Sequence, residues 1–446
     1  MKITKRKVKA LVTLGPSSSD EQTLSSLIKE GVNGFRLNFS HGNTDEKEGI
    51  IRLLRGIGKD KPIIGDLQGP TVRLGKFTPL TLKTGQRFTV SLEGIVPIPS
   101  KEFFNLIDKG DRVLFEAGRI TTKVLKVNGR EALLETLVGG VLRPGKTVAV
   151  EGKEYPFPAL TEKDLRDLEF CVKKGIDAIA LSFVKRKEDV RDLRRRLEEL
   201  GSDAWIIAKI ETKSGVHNID GIVEEADAIL VARGDLGAHF PLEKIPMVQR
   251  RLVRRAMESG KPSIIATQLL DSMMSNPIPT RAEVMDVYSA TIMGADALLL
   301  TGETAIGNYP IEALRWLIKV AREAEKEGIE YKRSGSEGLF DRFAKGVALM
   351  ADSLGGKIVA YTRTGKTASR LSAYRPSKGI IAVTPYLKVT RRISLLWGVF
   401  GVTYRGEEVE DIIRYLQDRG YLKDELVVFT KGLRKGATDS VKVIRL

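Results

Sequence analysis

With a single cysteine, Cys171, this chain of 446 residues cannot close an internal disulfide. That is the cysteine usage of a reducing, cytoplasmic setting. Only three histidines are present, scattered along the sequence, so the usual zinc ligand sets are out of reach. No apolar run approaches the about 18 residues that a membrane-spanning helix needs. The basic opening from Met1 to Lys7 runs straight into a strand pattern, with no signal-peptide core behind it. Asparagine and glutamine are scarce beside lysine, arginine and glutamate, a balance that hyperthermophilic proteins favour.

What is present is apolar material and positive charge. A hydrophobic fraction of 42% supports sizeable cores, and the length is compatible with two to four domains. The formal charge of +16 allows either nucleic acid or small anions as partners. The basic residues are spread along the chain and no nucleic-acid motif accompanies them, so no nucleic-acid partner is expected. The densest cluster, Arg191 to Arg196, lies in a helical pattern and reads as a solvated face.

One lysine stands out. Trp205 to Glu211 reads as a buried strand, apolar on both faces, yet Lys209 and Glu211 interrupt it near its end. Side chains alternate along a strand, so these two face one spot together. A buried charge is costly without a partner, which places a polar site at the strand's tip. Other short apolar runs end the same way. Ala228 to Ala232 leads into Arg233-Gly234-Asp235, Ser263 to Ala266 into Thr267-Gln268, and Ala297 to Leu300 into Thr301-Gly302-Glu303. In a parallel α/β barrel such C-terminal strand ends form the catalytic face.

Eight strands are expected: Val8 to Thr13, Gly34 to Phe39, Pro62 to Leu67, Asp177 to Phe183, Ala204 to Ile210, Asp227 to Ala232, Ser263 to Thr267 and Asp296 to Thr301. Helical stretches lie between most of them, which gives the alternation of a (β/α)8 TIM barrel. The barrel is assigned to residues 1–69 and 158–330. Residues 70–157 carry strand-length alternation and no long helix, far beyond an ordinary connection. They are expected to form an inserted small β-barrel lid over the catalytic face. After a polar linker, residues 339–446 read as an open α/β sheet of Rossmann-like type.

Three constellations carry chemistry. Glu211 and Asp235, from adjacent strand ends, suit Mg²⁺ or Mn²⁺, which take oxygen ligands and keep waters; the plainer alternative is a pair of salt bridges to Lys209 and Arg233. Lys209 beside a metal would face an anion, most naturally a phosphoryl group, whose transfer needs positioning and charge neutralisation. Arg36, Asn38 and Ser40 share a strand face, with Arg36 able to fork onto a phosphoryl oxygen, or they form a polar strand end capped by a turn. His41 reads as a loop residue. Thr362-Arg363-Thr364-Gly365-Lys366-Thr367 follows a strand and opens a helix. It could bind phosphate through backbone amides or be a threonine-capped helix start; the full Walker pattern fails at Ala360.

Together these residues resemble the pyruvate kinase family. Arg36-Leu37-Asn38-Phe39-Ser40-His41-Gly42, Asp66-Leu67-Gln68-Gly69-Pro70, Lys209-Ile210-Glu211, Ala232-Arg233-Gly234-Asp235-Leu236-Gly237, Ala266-Thr267-Gln268, Thr280-Arg281-Ala282-Glu283 and Gly302-Glu303-Thr304-Ala305 look like its signature blocks, in its order. The resemblance implies phosphoryl transfer from phosphoenolpyruvate to ADP, giving pyruvate and ATP, the last step of glycolysis. It implies that Glu211 and Asp235 hold the divalent metal, Mg²⁺ or Mn²⁺. Lys209 and Arg36 would hold the phosphoryl group, and Gly234, Asp235 and Thr267 the carboxylate end. Thr267 would lie where the enolate is protonated, with Thr301 and Glu303 in the catalytic set. Asn38, Arg73 and Lys146 would contact nucleotide.

Potassium-dependent members carry threonine, lysine and glutamate where Leu67, Gln68 and Thr71 stand here. Asn38, Ser40, Asp66 and Leu67 would be what remains of a monovalent-cation site, and no K⁺ requirement is expected. Thr362 to Thr367 matches the phosphate loop of effector-regulated relatives, with Lys431 to Gly436 as a second wall, and relatives commonly form homotetramers. The rival reading is a metal-dependent barrel aldolase or lyase acting on pyruvate enolates, which would share the carboxylate pair but need no lid.

Overall fold

The computed structural model describes residues 6–116, 118–331, 333, 335–336, 338–432 and 439–446. Eight parallel strands close into a barrel: Lys9–Leu14, Gly34–Asn38, Ile63–Asp66, Ala178–Leu181, Trp205–Ile210, Ala228–Ala232, Ser263–Ala266 and Ala297–Leu300. Each pairs with its neighbours in chain order, and the last returns to the first with Lys9 opposite Ala297. The expected strands are therefore all present, shifted by a residue or two at their ends.

The strands are buried on both faces, which is why they read as apolar runs rather than alternating ones. Leu11, Ile64, Ile207, Leu230, Ile264 and Leu299 fill the inside. Phe35, Leu37, Leu181, Ile206, Val231 and Leu298 pack outward against the helices. Polar residues fix where those helices begin. Asp20, Asn43, Thr161 and Thr280 each accept a hydrogen bond from the first turn. The Thr280–Glu283 segment is a reciprocal capping box. The Arg191–Arg196 cluster lies on a helix (Lys187–Glu199) and is paired with Glu225, Asp227, Asp192 and Glu199, as a solvated face would be.

Between the third and fourth barrel strands stands a β insert with its own core of Val90, Phe103, Phe104, Val113, Phe115 and Leu134. Six antiparallel strands run in the order Val72–Arg73, Thr147–Val150, Arg112–Phe115, Ile120–Val127, Glu131–Val138, Arg87–Ser91. A separate two-stranded ribbon pairs Leu80–Leu82 with Gly140–Leu142. The sheet is a curled half-barrel: its terminal strands do not pair with each other, and its first strand has only two residues with which to do so.

The C-terminal region is an open sheet in the order Val399–Thr403, Ile380–Thr384, Lys357–Tyr361, Leu426–Lys431, Ser440–Arg445. All pairs are parallel except the last, which is antiparallel. It is fastened to the barrel by a buried pair. Both Nη atoms of Arg375 donate to Asp296, at 2.7 and 2.8 Å, and one reaches Gly294 O at 3.0 Å. No helix among the described residues is long and apolar enough to cross a membrane.

Candidate active site

At the barrel mouth a cavity of about 230 Å³ opens between the strand ends and the insert; of the expected site residues, Asp66, Thr267, Thr301 and Glu303 are not among those lining it. Arg36, Asn38, Ser40, Lys209, Glu211, Gly234 and Asp235 line it from the barrel, and Arg73 lines it from the insert.

Its floor is an ionic network. Lys209 Nζ lies 2.8 Å from Glu211 Oε1 and 3.2 Å from Asp66 Oδ1, and donates to Ser182 Oγ at 2.7 Å. Arg36 Nε donates to Asp66 Oδ2 at 2.6 Å, and its Nη1 to Thr13 Oγ1 at 2.9 Å. The two residues that strand alternation aimed at one spot thus form an ion pair. Burial opposes ionisation of Asp66, but Arg36 and Lys209 together hold its carboxyl below the ordinary range. Burial likewise opposes the Lys209 charge, and Asp66 and Glu211 outweigh it, raising the ammonium above its usual value. Lys209 is therefore a fixed cation at neutral pH.

Asp235 lies beyond its strand, in a one-turn helix (Arg233–Leu236). Burial, and then the Glu211 charge, push its carboxyl up to about 7. Glu211 Oε2 accepts Phe183 N–H at 2.8 Å, while Oε1 has only the Lys209 ion pair and no well-directed hydrogen bond. Glu211 is buried and Asp235 half-buried; two carboxylates that repel each other, one with an oxygen lacking a directed hydrogen bond, fit a divalent cation. Among the described residues no group of three or more His, Cys, Asp or Glu gathers as a metal set. Two carboxylates, with the remainder from water and substrate, is the mode Mg²⁺ and Mn²⁺ use with phosphate ligands. Arg233 does not pair with Asp235: it meets Asp286 at 2.6 Å.

Beside this floor, Gly234 N–H donates to Thr267 Oγ1 at 2.9 Å. Thr267 and Gln268 both hold left-handed backbone, at φ 67° and 55°. Arg233 pins that turn, its Nε and Nη2 donating to Thr267 O (3.1 and 2.7 Å) and Nη2 to Gln268 O (2.7 Å). Glu303 is fully buried and burial raises its carboxyl. It accepts Leu270 N–H at 3.0 Å and Thr301 N–H at 2.7 Å, so Thr301 and Glu303 brace the Thr267 loop from behind.

On the insert side, Arg73 Nη1 donates to Gly145 O at 3.0 Å, and Lys146 is ion-paired with Glu116 at 2.7 Å. Lys146 is not among the cavity's lining residues. Asn38 Oδ1 closes a turn onto Ser40 N–H at 3.0 Å. His41 is pushed down by burial and then by the charges of Arg73, Arg36, Lys146 and Lys47. The positive charge gathered there suits an anionic chain laid across that side. Leu67 has a buried side chain and offers only its carbonyl, which accepts Ser182 Oγ–H at 2.7 Å.

Ser182, Arg233 and His239 were not anticipated as site residues. Ser182 sits at the tip of the fourth strand, where the rule that found Lys209 would also have found it. His239 lines the cavity with an unpartnered Nδ1; nothing in its sequence surroundings marks it. In the C-terminal sheet, Thr362–Thr367 does connect a strand to a helix (Lys366–Ala373). That helix begins at Gly365, φ 88°, with no side-chain cap, so it is not a threonine-capped start. Thr362 Oγ1 instead accepts Gly365 N–H at 2.9 Å. Of the expected second wall, Leu433 to Gly436 lie outside the described residues.

A parallel barrel with a cation-and-carboxylate floor under a β insert is the frame of a barrel phosphotransferase. Family models match accordingly: "Pyruvate kinase, barrel domain" over residues 5–314 and "Pyruvate kinase, alpha/beta domain" over residues 341–444. The chain is similar to a pyruvate kinase from Aeropyrum pernix, 39% identical over 88% of this chain and 87% of that one. It is also similar to one from Clostridium acetobutylicum, 38% identical over 98% and 99%. The crystal structure of pyruvate kinase from Pyrobaculum aerophilum superposes with a TM-score of 0.88, 34% identity, and 99% and 100% of the two chains covered. The chain belongs to the pyruvate kinase family. Its activity is phosphoryl transfer between phosphoenolpyruvate and ADP, giving pyruvate and ATP, by the divalent-cation-dependent route of that family. The aldolase or lyase reading finds no support in these matches.

Proposed function

We propose that the Lys209–Asp66–Glu211 network, with Asp235 beside it, is the phosphoryl-transfer centre. The observation that carries this is the Lys209 ammonium, half-buried between two carboxylates at 2.8 and 3.2 Å and held cationic. Lys209 and Arg36 would grip the phosphoryl oxygens as charge redistributes, the positioning and neutralisation this chemistry needs. Glu211 and Asp235 would hold Mg²⁺ or Mn²⁺, which when bound supplies Lewis-acid charge neutralisation. Gly234, Asp235 and Thr267 would seat the carboxylate end. The Thr267 hydroxyl, braced by Thr301 and Glu303, would stand where the enolate takes its proton. Asn38, Arg73 and Lys146 would contact nucleotide, with residues 70–157 as a lid between barrel parts 1–69 and 158–330, and 339–446 as a regulatory unit.

A K⁺ requirement is not expected. Asp66 is already neutralised by Arg36 and Lys209, and Leu67 and Thr71 bring no further charge. A coupled assay for pyruvate and ATP is expected to show turnover that needs Mg²⁺ or Mn²⁺ but persists in K⁺-free buffer with a bulky organic cation. Near-zero turnover without K⁺ would overturn the second half.

The Thr362–Thr367 loop is proposed as the phosphate end of an effector site, supported by its place after a strand and before a helix start. Substrate saturation curves shifted by a phosphorylated metabolite in the parent, and not in Lys366→Ala, are expected. Identical curves with every candidate would remove the site.

A homotetramer is proposed, as relatives commonly form, supported by apolar side chains left exposed in two domains. Leu242, Met247, Ile278 and Met285 are exposed on the barrel, and Leu349, Leu354, Val441 and Val443 on the C-terminal sheet and its helix. Light scattering should give about four times 49.3 kDa; a monomer mass would refute it.

A further inference from the structure

The foot of the barrel, opposite its catalytic mouth, meets the starting ends of the C-terminal strands. A second cavity of about 270 Å³ lies between them. Arg6, Lys7 and Lys9 line it from the approach to the first barrel strand, and Lys357, Lys378 and Glu425 from the C-terminal sheet. Among the described residues, five cations there face one carboxylate.

Its barrel side is shielded from water: Arg6 and Lys9 are each only 4% exposed. Arg6 already donates to Val8 O, Gly31 O and Asn33 Oδ1, so it contributes charge rather than a free donor. Lys9 Nζ donates to Val399 O at 2.5 Å, one bond for a group with three donors. Lys357 approaches Glu425 only to 4.0 Å, and Lys7 Nζ rests over the Trp397 ring at 5.5 Å from its centre. Glu325 stands behind, but its Oε1 accepts the backbone N–H groups of Lys7 and Val8 at 2.8 and 2.6 Å. Burial and then the Arg6 charge push the Lys9 ammonium down to about 7, with Lys61 adding to that and Glu325 and Asp296 opposing it.

A buried ammonium with one hydrogen bond for three donors, among four other cations and one carboxylate, is costly, and an anion removes that cost. Lysines arriving from two domains need one acceptor with several oxygens and more than one charge, which a phosphoryl dianion provides. We propose that this cavity binds a phosphoryl dianion, carried by free phosphate or by a small phosphate monoester, and that the anion ties the barrel to the C-terminal sheet. The site is separate from the Thr362–Thr367 loop, which follows the Lys357–Tyr361 strand at its other end.

The test is calorimetric titration and thermal unfolding of the full chain in Mg²⁺-free buffer, with inorganic phosphate and, separately, glycerol 3-phosphate. Saturable heat and a raised Tm are expected, whichever of the two binds more tightly naming the source. Lys9 regains its proton as the anion binds, so between pH 7 and 8 binding takes up protons and the heat depends on the buffer's ionisation enthalpy. Lys9→Met and Lys378→Ala should each weaken binding roughly tenfold or more. Lys366→Ala and Lys209→Met, which alter the loop and the catalytic floor, should leave it unchanged. The Lys378 side chain is exposed, so its variant keeps the test decisive if Lys9→Met does not fold. No saturable response, parent-like binding in Lys378→Ala, or loss in Lys366→Ala or Lys209→Met would overturn the proposal.

Discussion

Lys209→Met is expected to lower kcat by roughly 10²–10³-fold or more, the scale of removing one preorganised donor from a developing oxyanion. Methionine keeps the length and apolar stem of lysine, so packing against the neighbouring strands survives. What is lost is the only ammonium within reach of both Asp66 and Glu211 among the described residues. Asp66 keeps Arg36 at 2.6 Å, and Glu211 keeps the Phe183 N–H at 2.8 Å. Fold and divalent-cation binding are therefore expected to persist, with some stability lost because buried carboxylates have lost a partner. No Lys209 titration falls between about pH 6 and 9, since its pKa lies above its ordinary value, but loss of its charge should move the Asp235 titration, which Lys209 holds down, to higher pH. Steady-state kinetics, Mn²⁺ titration and a circular dichroism melt on one preparation separate these outcomes. Near-normal turnover would take Lys209 out of the mechanism.

How far the sequence reached this site depends on which physical rule each residue obeys. Lys209 and Glu211 were legible because a strand has a period of two and both faces of this one are otherwise apolar. Thr267 and Thr301 were legible as the polar ends of buried runs. Asp235 was legible as an acid in the right neighbourhood, yet not its placement in a one-turn helix after the strand. The plainer alternative, an Asp235–Arg233 salt bridge, fails because Arg233 reaches instead to Asp286, 53 positions further along, a contact that no local spacing encodes. The insert reads as β from its valines and threonines. Its half-barrel form rests on pairings such as Val72 with Val148, which strand propensity cannot reveal. Whether the Arg191–Arg196 cluster had partners could not be read either, because Glu225 and Asp227 come from the next βα unit.

The left-handed Thr267–Gln268 pair was equally hidden, since a β-branched residue at φ 67° is disfavoured by its own side chain. Such a conformation persists only where surrounding structure over-determines it. Arg233 is that structure: a guanidinium with 8% of its side chain exposed puts three hydrogen bonds onto the two carbonyls and one onto Asp286. Arg233→Lys keeps the charge opposite Asp286 but cannot reproduce the planar fork. The turn should then relax, and the Thr267 hydroxyl should leave Gly234 N–H. Misplacement by about 1 Å can cost roughly 10²-fold. A 10- to 100-fold fall in kcat is therefore expected for Arg233→Lys, larger than any change in the KM for ADP. Arg233→Leu should be worse: it removes the hydrogen bonds to both carbonyls and leaves Asp286 without its ion-pair partner, and lowers Tm as well. Partial rescue of the leucine variant by added guanidinium would show that the fork, rather than bulk packing, sets the hydroxyl. If Arg233→Lys turns over like the parent while only its Tm falls, Arg233 is a structural tie and the strained turn holds itself.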